Sequence, residues 1–189
     1  MGEDFILLST LNDYIFCPYS IYLHNIYMEA DEGLYHATPQ TQGRIAHDAV
    51  DNKRSSTRKE DLMSMPVCSQ FLGIMGKIDI YKGAEYHLIE RKYQLKQIYQ
   101  GQLYQLWGEY FCMTEMGYRV DKISFYEIST NKMIPQQLPG QKERDELMSF
   151  VERFKSFDPT MPIEITPNKC LHCIYSPLCE KTELENVYQ

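Results

Sequence analysis

Three cysteines fall within ten residues, C-L-H-C-I-Y-S-P-L-C over 170–179, and a fourth, Cys17, lies about 150 residues earlier in the chain. Thiols at this spacing converge only when something holds them, so Cys17, Cys170, Cys173 and Cys179 read as the ligands of a metal or iron–sulfur clasp. The fold must then bring an early helix back against the late residues. A single zinc ion satisfies four thiolates as well as an iron–sulfur cluster does, and spacing leaves both options open. His172 is a rival ligand inside the C-x2-C loop, expected to face solvent. Cys68 and Cys112 lie in apolar stretches and are expected in the core.

The reading of the thiols as ligands depends on a reducing compartment. No basic segment followed by an apolar stretch opens the 189 residues, and no run approaches the roughly eighteen apolar residues that cross a bilayer. A soluble, cytoplasmic protein with no membrane partner is therefore expected, where disulfides are disfavoured. With 43% hydrophobic and 13% aromatic residues the chain is not disordered, and its length suits one domain across 1–189. Within it, 1–30 is a helical part with the first thiol, 39–157 a core, and 158–189 a cysteine-rich tail. The net charge of −7 argues against a broad basic surface for duplex DNA but leaves a local basic groove open.

Apolar residues at helical spacing over 7–27 predict a helix, capped by Ser9 or Thr10 and kinked or divided by Pro18. A second helix is expected from about 39–43, carrying His47, and 53–61 reads as a solvated charged loop. Strands are expected over 71–81 and 86–93, joined by a turn at 82–85, then a long helix over 95–116 closed by Gly117. Strands over 120–128 and 132–138, a helix over 145–154 and an extended, proline-rich tail complete the pattern. It describes an α/β or α+β core with a metal-bound terminus.

The two central strands carry Asp79, Glu90 and Lys92. Glu90 and Lys92 are two apart and share a face, and Asp79 lies beside Glu90 if the hairpin register allows it. Two carboxylates and an ammonium at one spot suit Mg²⁺ or Mn²⁺ bound to phosphate oxygens, with Lys92 positioning or deprotonating water or offsetting developing charge. The plainer reading is a salt-bridged strand pair. Both acids lie among apolar neighbours, however, and buried acids need a partner or a metal.

The order of these residues resembles the RecB-like branch of the PD-(D/E)xK nucleases, and nearly the whole chain looks like the Cas-four family, the CRISPR-associated RecB-like exonucleases. The motifs are L-N-D-Y-I-F-C-P-Y at 11–19, G-R-I-A-H at 43–47, G-K-I-D at 76–79, I-E-R-K at 89–92, Y-Q-L-W at 104–107 and the cysteine run. The resemblance implies an α/β fold: a RecB-like PD-(D/E)xK core, a central mixed sheet flanked by helices, with a C-terminal iron–sulfur clasp tied to the N-terminal helix. It implies that His47, Asp79, Glu90 and the backbone carbonyl of Arg91 hold Mn²⁺ or Mg²⁺, and that Lys92 is catalytic. Cys17, Cys170, Cys173 and Cys179 would bind a 4Fe-4S cluster. Gln105 takes the family's glutamine position, although Glu109 stands four residues later where a strict QxxxY motif has tyrosine. Gln100 and Tyr104 fit QxxxY but lie nearer the E-x-K element than is usual, and Tyr110 is the other tyrosine in range. The lone distant thiol resembles the clasp of RecB-like nucleases more than a zinc ribbon.

The function so implied is cleavage of single-stranded DNA or an overhang, as exonuclease or endonuclease. The setting is CRISPR adaptation, with prespacers processed at the end bearing the protospacer-adjacent motif, alongside the integrase complex of the first two Cas proteins. Tyr19, Tyr22, Tyr93, Tyr104 and Tyr110 are candidates for base stacking or plain core residues. A non-catalytic iron–sulfur or zinc subunit that binds DNA ends is the alternative.

Overall fold

Leu8 sets how the first helices meet the rest of the protein, because glycines stand on two sides of it. In the computed structural model, which describes residues 5–27 and 60–182, Leu8 is buried between Gly76 and Gly108. A Cβ at Gly76 would lie 3.0 Å from the Leu8 side chain, and one at Gly108 would collide with it. Only backbone fits there. Leu8 belongs to a 3₁₀ turn (Leu8–Thr10) that links strand β1 (Ile6–Leu7) to helix α1 (Leu11–Phe16).

The predicted first helix is divided at Pro18, as its ring demands. α1 ends at Phe16, Cys17 is extended, and α2 (Pro18–Tyr27) starts with the proline in the first turn, where a missing N–H does no harm. Thr10 precedes α1 without capping it; its hydroxyl donates to the Leu7 carbonyl. Of the expected apolar face, Leu8, Leu11, Tyr19 and Leu23 are buried, whereas Tyr22 and Ile26 are exposed. The helix expected from 39–43 lies outside the described residues.

Short strands β2 (Asp61–Met63) and β3 (Pro66–Ser69) run antiparallel to β5 (Ile80–Lys82) and β4 (Ile74–Lys77). The single strand predicted over 71–81 is thus two, each in a different sheet, with Ile78 and Asp79 at the step between them. Hydrogen bonds from Ser64 N to the Asp79 carbonyl and from Ile78 N to the Met65 carbonyl carry the pairing across that step. Alternation along β3 buries Val67 and Ser69 and turns Cys68 outward, so Cys68 is exposed rather than a core residue. Cys112 is buried as expected.

One sheet has the order β1-β4-β3, and the other has the order β2-β5-β6-β7-β8. In the larger sheet β6 (His87–Lys92) pairs antiparallel with β5 and parallel with β7 (Lys122–Glu127), and β8 (Lys132–Gln136) closes the edge. A parallel neighbour requires a crossover, supplied by helix α3 (Gln100–Glu115). α3 starts five residues later than its apolar pattern predicts. Leu95 N is held by Glu127 Oε1, and the chain enters the helix at Tyr99, whose N–H donates to Gln102 Oε1.

Helix α4 (Gln141–Lys155) buries Leu147, Phe150 and Val151, and Phe154 stacks on Tyr14 of α1 with centroids 4.3 Å apart. The tail is less extended than its prolines suggest. Pro167 opens a short helix, α5 (Pro167–Leu171), which carries Cys170. The chain is a mixed α/β protein whose two mixed sheets are flanked by helices. Among the described residues no helix is long and apolar enough to cross a membrane.

Candidate active site and thiol clasp

The register of β5 against β6 pairs Ile80 with Ile89. One step further sets Asp79 opposite Glu90, the arrangement a shared carboxylate site requires. Asp79 Oδ2 accepts a hydrogen bond from Arg91 N at 2.7 Å, which fixes the carboxylate against the edge of β6. Asp79 is 8% exposed and Glu90 1%, so neither acid is a surface residue.

Glu90 and Lys92 share one face of β6, and Lys92 Nζ lies 2.8 Å from Glu90 Oε1. Across them lies α3. Gln105 accepts from Lys92 Nζ through Oε1 at 3.0 Å and donates through Nε2 to Glu90 Oε1 at 2.7 Å. The second QxxxY candidate faces elsewhere: Gln100 Nε2 and the Tyr104 hydroxyl both donate to Glu146. Tyr110 packs against Phe111.

Burial works against the charge on Lys92, but Glu90, then Asp79 and Glu109, outweigh it and hold the ammonium above the ordinary lysine range. Lys92 is therefore a cation at neutral pH. A cavity of about 600 Å³ opens on this cluster, lined by Ser9, Pro66, Lys77, Asp79, Lys92 and Gln105 among others. His47 lies outside the described residues. Among those residues, no group of three or more His, Cys, Asp or Glu side chains is arranged to hold a metal ion.

Glu109 is the residue that sequence reasoning undervalued. It registered as a departure from QxxxY, yet it is fully buried and its Oε1 accepts from Gln105 Nε2 at 3.2 Å. Burial, then the charges of Glu90 and Asp79, pushes its carboxyl well above the usual range. The available signal was its spacing: four residues after Gln105 on a helix is the same face one turn on.

The four thiols gather at a second place. Cys17, at the break between α1 and α2, and Cys170, Cys173 and Cys179 line one apolar recess with Phe16, Tyr19 and Leu23. They surround it without closing on a single point. Consecutive turns lay out the cysteine run, with Cys173 N donating to the Cys170 carbonyl, Ser176 N to that of Cys173, and Cys179 N to that of Ser176. His172 is exposed, as expected. Burial and the neighbouring thiols push Cys173 and Cys179 up, against backbone hydrogen bonds that pull them down.

Hydrogen bonds beyond the thiols also tie the tail to the first helices. The Tyr19 hydroxyl donates to Glu180 Oε1, His24 Nδ1 hydrogen-bonds the Tyr175 hydroxyl, and Lys169 Nζ donates to the Ile15 carbonyl near the end of α1. Cys17, Tyr19, Leu23 and Tyr175 form a hydrophobic cluster separate from the larger core.

No family model matches the chain, and no curated protein matches it. Among solved structures it is similar to the crystal structure of SSO0001, with a TM-score of 0.63 at 15% identity, over 95% of this chain and 88% of that one. At that identity the likeness concerns architecture alone. The chain shares with SSO0001 an α/β fold in which helices flank mixed sheets.

Proposed function

We propose that this chain is a metal-dependent DNA nuclease of the RecB-like PD-(D/E)xK kind, with a 4Fe-4S clasp, acting on single-stranded DNA or a single-stranded overhang. The observation that carries the reading is the Gln105 amide held between Lys92 and Glu90, with Asp79 beside them just before the adjacent strand. A simple salt bridge does not require two nearly inaccessible acids, one of them, Asp79, lining a large cavity. A site for a cation and a phosphodiester does.

The donor set fits a hard divalent ion: Asp79 and Glu90, with the Arg91 carbonyl and His47, would hold Mg²⁺ or Mn²⁺. When bound, the ion supplies Lewis acidity to a phosphoryl oxygen and acidifies water. The chain's own residues do the rest. Lys92, charged at neutral pH, offsets negative charge developing on the phosphate rather than acting as a base, and Gln105 fixes where its ammonium points. Arg91 N holds the Asp79 carboxylate in place.

Four thiols lining one recess with apolar walls are a donor set that suits the proposed cluster. Its task in this reading is to tie the tail to α1 and α2. The setting implied by the family resemblance is CRISPR adaptation, with prespacers trimmed at the end bearing the protospacer-adjacent motif beside the integrase of the first two Cas proteins.

Cleavage of labelled single-stranded DNA with Mn²⁺ tests the activity. Asp79→Ala and Lys92→Ala are expected to lose about a hundredfold or more in rate, and equal cleavage by all three proteins would overturn the assignment. Iron analysis of protein purified without oxygen tests the clasp. Brown protein with about four irons per chain is expected; colourless protein with one zinc would replace the cluster with a zinc site.

A further inference from the structure

Glu109 stands where the QxxxY pattern has a tyrosine, and no step of the proposed chemistry uses it. A fully buried carboxyl on a helix face among Leu106, Cys112 and Met113 is costly to desolvate. Two polar groups lie against it: Oε1 accepts from Gln105 Nε2, and the Glu90 carboxyl is its other close neighbour.

The Gln105 amide is polar in two senses. Its nitrogen side faces Glu90 and Glu109, and its oxygen side faces Lys92. Turned over, the amide would set Oε1 against the Glu90 carboxylate and Nε2 against the Lys92 ammonium, and both of those contacts would be lost. Glu90 alone is a weak guide for this choice, because the same oxygen, Oε1, already accepts from Lys92. Glu109 is the acceptor on the nitrogen side that does not touch Lys92 Nζ.

We infer that Glu109 is a positioning residue, which holds the Gln105 amide so that its oxygen faces Lys92 and thereby fixes the ammonium beside Glu90. The inference rests on the nuclease reading for its purpose but not for its test. Lys92 reactivity reports the geometry directly. Acylation of Lys92 by an N-hydroxysuccinimide ester, followed by peptide mass spectrometry, needs neither DNA nor metal.

Glu109→Met removes the acceptor, and Glu109→Asp keeps a carboxyl but withdraws it by one methylene. Both are expected to raise the acylation rate of Lys92 about fivefold, the equivalent of one neutral hydrogen bond. Glu109→Gln retains an acceptor oxygen and is expected to stay near the wild-type rate. In a Gln105→Ala background the Glu109 substitutions are expected to add nothing, because the residue acts through the amide.

An increase that persists without Gln105 would show Glu109 acting on Lys92 by charge, and would overturn the inference. So would an unchanged rate in Glu109→Asp, which also serves if the methionine variant does not fold. The same four-protein cycle measured as kcat on single-stranded DNA is expected to show the same non-additivity, with KM unmoved. Wild-type protein that cleaves no DNA would remove the nuclease reading, while the acylation cycle would still decide the role of Glu109.

Discussion

His87 shows what the larger sheet does to a titratable side chain. It is 8% exposed and hydrogen-bonds Ser124 on the neighbouring strand through Nε2 at 2.8 Å. Burial lowers its pKa below 6.5, against a smaller opposing pull from Glu85. The unfolded chain thus takes up the proton first as pH falls, so the stability contributed by neutral His87 is present above 6.5 and lost below it. Urea unfolding at about pH 7 and about pH 5 is expected to show a smaller loss for His87→Gln than for wild type. Identical losses would show that His87 is protonated as readily folded as unfolded. The candidate site was legible at this scale where chemistry and strand alternation agreed: Asp79, Glu90 and Lys92 fall where a two-residue period puts them. Cys68 was misjudged because an apolar stretch does not say which face of a strand is covered. Glu109 was seen but carried no reading, since only the packed helix shows what a carboxyl four residues past Gln105 touches.

Among elements, the contact between α1 and α3 is the tightest constraint on the site, because it places Gln105 over β6. A Cβ at Gly101 would come within 2.6 Å of Asn12 Cα, which is backbone and does not swing aside. Alanine for glycine inside a helix normally stabilises by about 1 kcal/mol. Here Gly101→Ala is expected to destabilise by about 1–3 kcal/mol, because the two helices must separate. Calorimetry decides the sign, and a gain in stability would show that α1 yields easily. Elements with long periodic patterns were readable in the sequence, but their ends were not. α3 loses its expected first turn to the tertiary bond between Leu95 N and Glu127. Strands β1, β2 and β3 went unread because two to four residues are too few to show a period. Helix α5 was masked by the same Pro167 that begins it.

For the molecule as a whole, the recess of thiols joins parts of the chain that have a hydrophobic cluster of their own. Losing the clasp is therefore expected to free the tail without dissolving the larger core. A bond between Cys17 and the 170–179 run closes a loop of about 150 residues, a length for which chain-entropy arguments give about 4–5 kcal/mol. Cys170→Ser is expected to lower the melting temperature by about 10 °C or more while leaving far-UV circular dichroism of the sheets in place. An unchanged melting point would mean that the Tyr19–Glu180, His24–Tyr175 and Lys169–Ile15 contacts hold the tail by themselves. The mixed α/β character and the meeting of the two thiol segments followed from the sequence. The division of the strands between two sheets did not, because it depends on the step at Ile78 and Asp79, where the local pattern continues unbroken.

That separation of the thiols also has a meaning in time. Cys17 leaves the ribosome about 150 residues before Cys170, an interval on the order of ten to thirty seconds at ordinary rates of synthesis. Before it ends, the strands bearing Asp79, Glu90 and Lys92 are available to pair, while one thiol of four still waits alone at the break between two helices. If the thiols hold the proposed cluster, its assembly is a late event in the life of each new chain, and a cell short of iron would accumulate molecules complete in their sheets and open at their seam.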